Sequence, residues 1–252
     1  MQRLPSRLRL AVAYLVSAVA LAAPLAPAAA QTAVDLELVL AIDTSGSVDT
    51  FEFNLQIHGI AAAFRDPEIH AALGAYAARG VAVAAVQWSS RRQQAIAVDW
   101  MVVSDVRSAL TFADRLERTG RLILGETAIA DALSYAIEML ARNGFAGDRQ
   151  VIDISGDGPT NSGGDPGPVR DAAAALDITI NGLAILNEVA DLDHYYREHV
   201  TGGPGTFVLA ARDYGDFGHA MRLKLLREIQ GAGLADAGPV GGALAATTTD
   251  LP

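Results

Sequence analysis

A cluster of oxygen-bearing side chains follows an apolar run near the start of the chain. Residues Val34 to Ile42 are mostly apolar, and the next five residues read Asp-Thr-Ser-Gly-Ser. In a turn that contains glycine, the carboxylate of Asp43 and the hydroxyls of Ser45 and Ser47 can converge on one point. Oxygen-only sets suit hard cations such as Mg²⁺, Mn²⁺ and Ca²⁺. The segment therefore predicts a divalent-cation site at the end of a strand.

Two later segments offer oxygens of the same kind. Asp157 follows a short apolar strand pattern, and Thr127 stands at the start of a helical pattern. Ligands of parallel α/β sheets bind outside the carboxyl ends of the strands, so we expect the segments to meet there. Together they offer Asp43, Ser45, Ser47, Thr127 and Asp157. Thr119 or Thr160 could take the place of Thr127, which is also a common type of helix cap.

Apolar strand-like runs alternate with helical patterns along most of the chain. Strands are predicted at residues 34–42, 81–88, 95–102, 150–155, 178–186 and 206–210. Helices are predicted at residues 49–65, 104–117, 127–142, 169–176, 191–200 and 213–230, the last of them capped by Asp213. The alternation predicts an α/β fold: a Rossmann-like, doubly wound, mostly parallel sheet with helices on both faces. The second and third strands predict one antiparallel hairpin at an edge.

The first 30 residues have the features of an export signal. Three arginines precede the apolar run Leu10–Ala23, and three alanines at positions 28–30 offer a cleavage pattern. We therefore expect residues 1–30 to be a signal peptide and the protein to be periplasmic or secreted, with no stable membrane span after cleavage. An uncleaved anchor is the alternative, although Pro24 and Pro27 interrupt the apolar stretch.

Composition limits the rest of the chain. Residues 31–230 suffice for one α/β domain, and residues 231–252 are rich in Gly, Ala and Thr, which predicts a flexible tail. The chain has no cysteine and a formal net charge of −10. Disulfides are therefore excluded, and nucleic acid and anionic membranes are unfavourable partners. Lys224 is the only lysine, which we attribute to coding bias.

Two further features are given ordinary structural interpretations. On an α-helix, His194 and His199 would lie about 140° apart, too far round to share a metal, and we expect both at the surface. Asp153 lies within an apolar strand pattern. We interpret it as a solvent-facing residue of an alternating strand.

The order and placement of the oxygen ligands resemble the von Willebrand factor type A domain and its metal-ion-dependent adhesion site (MIDAS). The pattern of that site is Asp-x-Ser-x-Ser, a distant Thr, and an Asp after a later strand. The resemblance covers residues 35–230. An export signal followed by one such domain is also similar to a bacterial family of exported proteins with no assigned function.

The resemblance implies how the five residues would act. Ser45, Ser47 and Thr127 would coordinate the cation directly, with Mg²⁺ the first choice and Mn²⁺ or Ca²⁺ the alternatives. Asp43 and Asp157 would act largely through bound water. Because neutral hydroxyls leave the cation electrophilic, its last position would accept an acidic side chain of a protein partner.

The expected function is therefore that of an exported, non-enzymatic protein-binding module. The loops around the site, above all residues 159–168, carry no large apolar anchor, which favours a transient interface. A metal-dependent hydrolase acting on a phosphate or ester is one alternative, with Glu126 and Asp165 as the only additional acids on these loops. A purely structural metal is the other. Common enzyme motifs such as Gly-x-Ser-x-Gly and the phosphate loop do not occur.

Overall fold

One mostly parallel sheet forms the centre of the molecule. The structure is a computed structural model, and it describes residues 31–231. Its strands are Thr32–Asp43 (β1), Val81–Trp88 (β2), Gln94–Val103 (β3), Phe145–Gly156 (β4), Ile178–Ile185 (β5) and Val208–Ala211 (β6). They lie in the order β3-β2-β1-β4-β5-β6, and only the β2–β3 pair is antiparallel. The predicted sheet, with its antiparallel hairpin at one edge, is confirmed.

Helices cover both faces of this sheet. Within residues 31–231 they are Thr50–Arg65 (α1), Pro67–Tyr76 (α2), Val106–Glu117 (α3), Ile129–Ala141 (α4), Gly167–Ala174 (α5), Leu192–Tyr195 (α6) and Phe217–Gln230 (α7). The short α6 continues as a π-helical turn, Tyr196–Val200. None of these helices is long and apolar enough to span a membrane. The predicted signal peptide, and the predicted tail beyond Gly231, lie outside the described residues.

The central position of β1 in the sheet explains why its sequence is almost entirely apolar. Leu38 and Leu40 belong to the apolar layer shared with α1, α3 and α7. Val39 and Ala41 point the other way, into the layer shared with α4 and α5. Because successive side chains alternate across a strand, a strand with helices on both faces needs apolar residues at every position. The sheet therefore separates two apolar layers.

The main differences from the predicted elements concern α2, β4 and α7. Helix α2 was not predicted, although Asp66 caps it and Pro67 occupies its first turn. Strand β4 begins at Phe145 and not at 150, because its first residues pair with the start of β1. Helix α7 begins at Phe217, with Asp216 as its N-cap residue, so the predicted cap Asp213 is wrong. The carboxylate of Asp213 instead accepts a hydrogen bond from the Asp216 amide at 2.9 Å.

The structure also corrects the interpretation of Asp153 and Lys224. Asp153 is 1% exposed and Lys224 is fully buried. The Lys224 ammonium lies 2.7 Å from Asp153 Oδ1 and 2.7 Å from Glu228 Oε1. Asp153 does not face solvent because α7 covers that face of β4 and supplies its counter-charge. The one lysine of the chain is thus a structural residue of the fold.

The π-helical turn after α6 changes the geometry expected for two histidines. His194 and His199 line one shallow cavity of about 310 Å³ together with Asp191 and Glu198. A π-helix holds more residues per turn than an α-helix, so a spacing of five brings the two side chains towards the same side. Both are exposed, as predicted. The 140° separation expected for an α-helix is wrong.

Candidate metal centre

The loop that begins at Asp43 is fixed by contacts with its neighbours. The Thr44 amide and hydroxyl both donate to the Trp88 carbonyl at the end of β2, at 2.9 and 3.0 Å. Asp43 Oδ1 accepts a hydrogen bond from the Ser45 amide at 2.7 Å, which closes a tight turn. Beyond the turn, Asp49 starts α1 with a reciprocal capping interaction. Asp43 thus stabilises the turn that follows it, but within the described residues only one of its two carboxylate oxygens is engaged.

A chain of hydroxyl contacts runs from this loop to Asp157 at the end of β4. The hydroxyls of Ser45 and Ser47 lie 3.2 Å apart. The Ser47 hydroxyl donates to Asp157 Oδ1 at 2.7 Å. The Tyr214 hydroxyl donates to the other oxygen of the same carboxylate at 2.9 Å. The structure thus brings Asp43, Ser45, Ser47 and Asp157 together at the carboxyl edge of the sheet.

Thr127 is held beside the same loops by its backbone. Its carbonyl accepts hydrogen bonds from the Asn161 amide at 2.9 Å and the Thr160 hydroxyl at 3.0 Å. Its amide donates to the Asn161 side chain at 2.8 Å. Just before it, Gly125 pairs with Ser45 in a parallel bridge. All three predicted segments are therefore joined to one another.

The alternatives considered for Thr127 can be compared directly. The N-cap residue of α4 is Ala128, and no side chain caps that helix, so Thr127 is not a helix cap. The hydroxyl of Thr160 is engaged with the carbonyls of Thr127 and Ser162. The hydroxyl of Thr119 donates to the carbonyls of Ala97 and Arg115. Thr127 remains the best placed of the three threonines.

Two buried carboxylates give the site its electrostatic character. Asp43 and Asp157 are both almost completely buried. Burial, followed by the neighbouring charge of Asp157, raises the pKa of Asp43 to about 7. Among the described residues, no arginine, lysine or histidine forms an ion pair with either carboxylate. Within residues 31–231, no cationic side chain balances these two carboxylates.

The residues present fit a hard divalent cation. Asp43 Oδ2 is buried and has no hydrogen-bond partner within the described residues. A Cβ added at Gly156 would lie 2.8 Å from that oxygen, so a glycine is needed beside it. Residues 31–231 contain no group of three or more His, Cys, Asp or Glu side chains that could hold a metal. Any cation here would depend on hydroxyl oxygens, and serine and threonine beside two carboxylates form such a set.

Sequence reasoning missed several residues of this site. Tyr214 follows β6, so the strand-end rule that selected Asp43 and Asp157 also applies to it. Asn161 was overlooked because its role is to hold the Thr127 backbone. The expectation of no large apolar anchor is wrong, since Leu122 and Leu124 are exposed on the segment that leads to Thr127. The sequence feature that could have revealed them is the apolar run at residues 122–124, directly before Gly125.

Comparison with known proteins assigns the chain to a family. Residues 33–233 match the family described as "Protein of unknown function (DUF1194)". The chain belongs to this family. A comparison of this DUF1194 member with curated proteins found no match.

Solved structures show which fold the DUF1194 chain has. Proximal thread matrix protein 1 from the mussel byssus, with a zinc-occupied MIDAS motif, is 14% identical with a TM-score of 0.54, and the match covers 78% of this chain and 46% of that one. A von Willebrand factor type A protein from Catenulispora acidiphila is 14% identical with a TM-score of 0.54, covering 77% and 43%. The pilus adhesin SpaC from Lactobacillus rhamnosus GG is 13% identical with a TM-score of 0.55, covering 77% and 30%.

These similarities establish the fold. The DUF1194 chain has the α/β fold of von Willebrand factor type A domains, as its sequence pattern predicts. It spans less than half the length of each of the three solved chains.

Proposed function

We propose that this protein is an exported, non-enzymatic binding module that uses a divalent cation to hold an acidic side chain of a protein partner. Ser45, Ser47 and Thr127 would hold the cation directly, and Asp43 and Asp157 would hold it largely through water. Mg²⁺ is the first choice, with Mn²⁺ and Ca²⁺ as alternatives. The observation that carries the proposal is the buried Asp43 Oδ2, which has no partner in the part of the chain that the structure describes, beside the linked hydroxyls of Ser45 and Ser47.

Hydrogen bonds within the chain orient the side chains of the site. Ser45 fixes one oxygen of Asp43 through its amide, while Ser47 and Tyr214 hold the two oxygens of Asp157. When bound, a divalent cation supplies positive charge that both carboxylates need and an open position that a carboxylate can take. The chain's contribution is to hold its ligands in place, which reduces the cost of ordering them on binding.

Two solved relatives support a binding role. One carries a zinc-occupied MIDAS motif, and another is a pilus adhesin. Export is supported by the sequence of residues 1–30. For a hydrolase, the two additional acids are poorly placed, because Glu126 and Asp165 are exposed and the Asp165 carboxylate accepts a hydrogen bond from the Gly167 amide at 2.9 Å.

Isothermal titration of Mg²⁺, Mn²⁺ and Ca²⁺ into the purified protein tests the metal centre. We expect saturable binding at one site, lost in Ser47→Ala and in Asp157→Asn. The matched control is Ser134→Ala, because the Ser134 hydroxyl only donates to the Ala130 carbonyl within α4. If the unmodified protein takes up no metal, or if both site variants bind as tightly as the control, the proposal is wrong.

A further inference from the structure

Three exposed apolar side chains stand around the candidate metal centre. Phe51 is 69% exposed, Leu122 48% and Leu124 58%. Leu122 and Leu124 lie on the segment that precedes Gly125, and Phe51 lies in the first turn of α1. We call these three residues the apolar rim.

Direct contacts place the two leucines of the rim beside the loop of the metal centre, and Phe51 follows that loop in the sequence. The Gly46 amide donates to the Gly125 carbonyl at 2.6 Å, so Leu124 runs alongside the turn that carries the two serines. The Arg121 guanidinium donates to the Val48 carbonyl, which brings Leu122 next to the start of α1. Leu122 and Leu124 therefore lie beside the loop that carries Ser45 and Ser47.

The rim is held in place by a buried side chain. Gln87, at the end of β2, is fully buried. Its Oε1 accepts a hydrogen bond from the Leu122 amide at 2.7 Å, and its Nε2 donates to the Gly120 carbonyl at 2.9 Å. These two bonds fix the backbone of a loop whose leucines nevertheless point to solvent. An ordered loop that presents apolar side chains is suited to binding, since little conformational freedom is lost when a partner covers it.

We propose that the apolar rim is the second half of the partner interface, and that the partner is an extended protein segment with apolar residues two positions from its acidic residue. This inference rests on the proposed function, in which the acidic residue goes to the metal centre. In an extended segment, residues two apart point to the same side and lie about 7 Å from each other. An acid held at the metal therefore presents its second neighbours to the surface that carries the rim.

Two synthetic peptides of equal charge test this inference. One is acetyl-Leu-Ser-Glu-Ser-Leu-amide and the other is acetyl-Ser-Ser-Glu-Ser-Ser-amide, each titrated into the Mg²⁺-loaded protein and followed by calorimetry or NMR. We expect the leucine peptide to bind about tenfold more tightly, because apolar contact adds affinity where side chains leave water. EDTA should abolish the binding of both.

Variants of the rim separate it from the metal centre. The double variant Leu122→Ser, Leu124→Ser should bind both peptides as weakly as the unmodified protein binds the serine peptide, while its Mg²⁺ affinity is unchanged. Leu176→Ser is the matched control. Leu176 is 62% exposed but lies just before β5, at the amino-terminal ends of the parallel strands and not at their carboxyl ends. It should keep the tenfold preference.

The possible failures are distinguishable. If both peptides bind equally to the unmodified protein, or if the control loses the preference as fully as the double variant, the rim has no role and the proposed function stands. If the protein takes up Mg²⁺ but neither peptide binds, the proposed binding of acidic side chains is wrong, and the inference fails with it.

Discussion

The two aspartates of the candidate site have different surroundings. Asp157 accepts hydrogen bonds on both oxygens, from Ser47 and from Tyr214. Asp43 has one oxygen bound by the Ser45 amide and one that no group of residues 31–231 contacts by a hydrogen bond. Among the described residues, the carboxylate oxygen without a partner therefore belongs to Asp43, while both oxygens of Asp157 are engaged by neighbouring hydroxyls.

Thr127 gives a test of a single hydroxyl. Thr127→Val keeps the size of the buried side chain and should abolish Mg²⁺ binding in calorimetry, because it removes the oxygen alone. Thr127→Ser should retain it. Thr160→Val is the control: its hydroxyl bonds two carbonyls, so its loss should lower the free energy of unfolding by about 1 kcal/mol without abolishing metal uptake. Equal Mg²⁺ binding by the Val and Ser variants at position 127 would exclude the threonine as a ligand.

At the scale of elements, α7 is attached to the sheet by a buried charge network. The Lys224 ammonium lies between Asp153 on β4 and Glu228 one turn further along the helix. The Asn181 amide on β5 also donates to Glu228 Oε1 at 3.0 Å. Two carboxylates share one ammonium here, so the position of the helix depends on that ammonium.

Replacement of the lysine tests this dependence. Lys224→Met should lower the free energy of unfolding by about 3–5 kcal/mol, because it leaves two buried carboxylates without their counter-charge. Urea denaturation at pH 8 measures the effect. Arg212→Met removes an ion pair at the surface and should change stability little. A Lys224→Met variant as stable as the surface control would show that the network does not hold α7.

The same network predicts a pH dependence. Burial, followed by the charge of Glu228, raises the pKa of Asp153 from 3.8 to about 7, against the lowering effect of Lys224. Because the folded state then binds the proton more tightly than the unfolded state, this group favours folding at low pH and loses that contribution as the pH rises from about 4 through 7.

Asp153→Asn isolates this contribution from that of Asp43, whose pKa is raised in the same direction. Subtraction of the variant's free energy of unfolding from that of the unmodified protein should give a difference that falls between pH 5 and pH 8. Urea denaturation at several pH values supplies both curves. A constant difference, or one that rises with pH, would contradict the assignment.

At the scale of the whole molecule, the candidate site joins loops from three distant parts of the chain. A ligand that binds only the folded state stabilises it by about 2.7 kcal/mol at a hundred times its dissociation constant. Mg²⁺ at that excess should therefore raise the melting temperature of the unmodified protein, and EDTA should reverse the rise. Ser47→Ala should show no Mg²⁺-dependent shift. The same shift in this variant would mean that Mg²⁺ acts elsewhere on the protein.

Sequence patterns predict the parts of this molecule that depend on local order. Each of the six strands was predicted because an apolar run can be recognised without knowledge of its neighbours. The candidate ligands Asp43 and Asp157 were selected because each follows such a run. Helix α2 was missed, since its alanine-rich sequence has little contrast between faces. The contact of Lys224 with Asp153 could not be predicted, because no sequence pattern indicates which helix covers that face of β4.

Burial of Lys224 has a consequence for chemical labelling. Its amine is the only one on any side chain of this protein. Reagents that acylate primary amines should therefore modify a native molecule at its α-amino group alone, and amine coupling to a sensor surface would attach every molecule by that one point. A second acyl group would mean that α7 had left the sheet. The fraction of molecules with two acyl groups in a mass spectrum therefore reports how much of the protein has unfolded there.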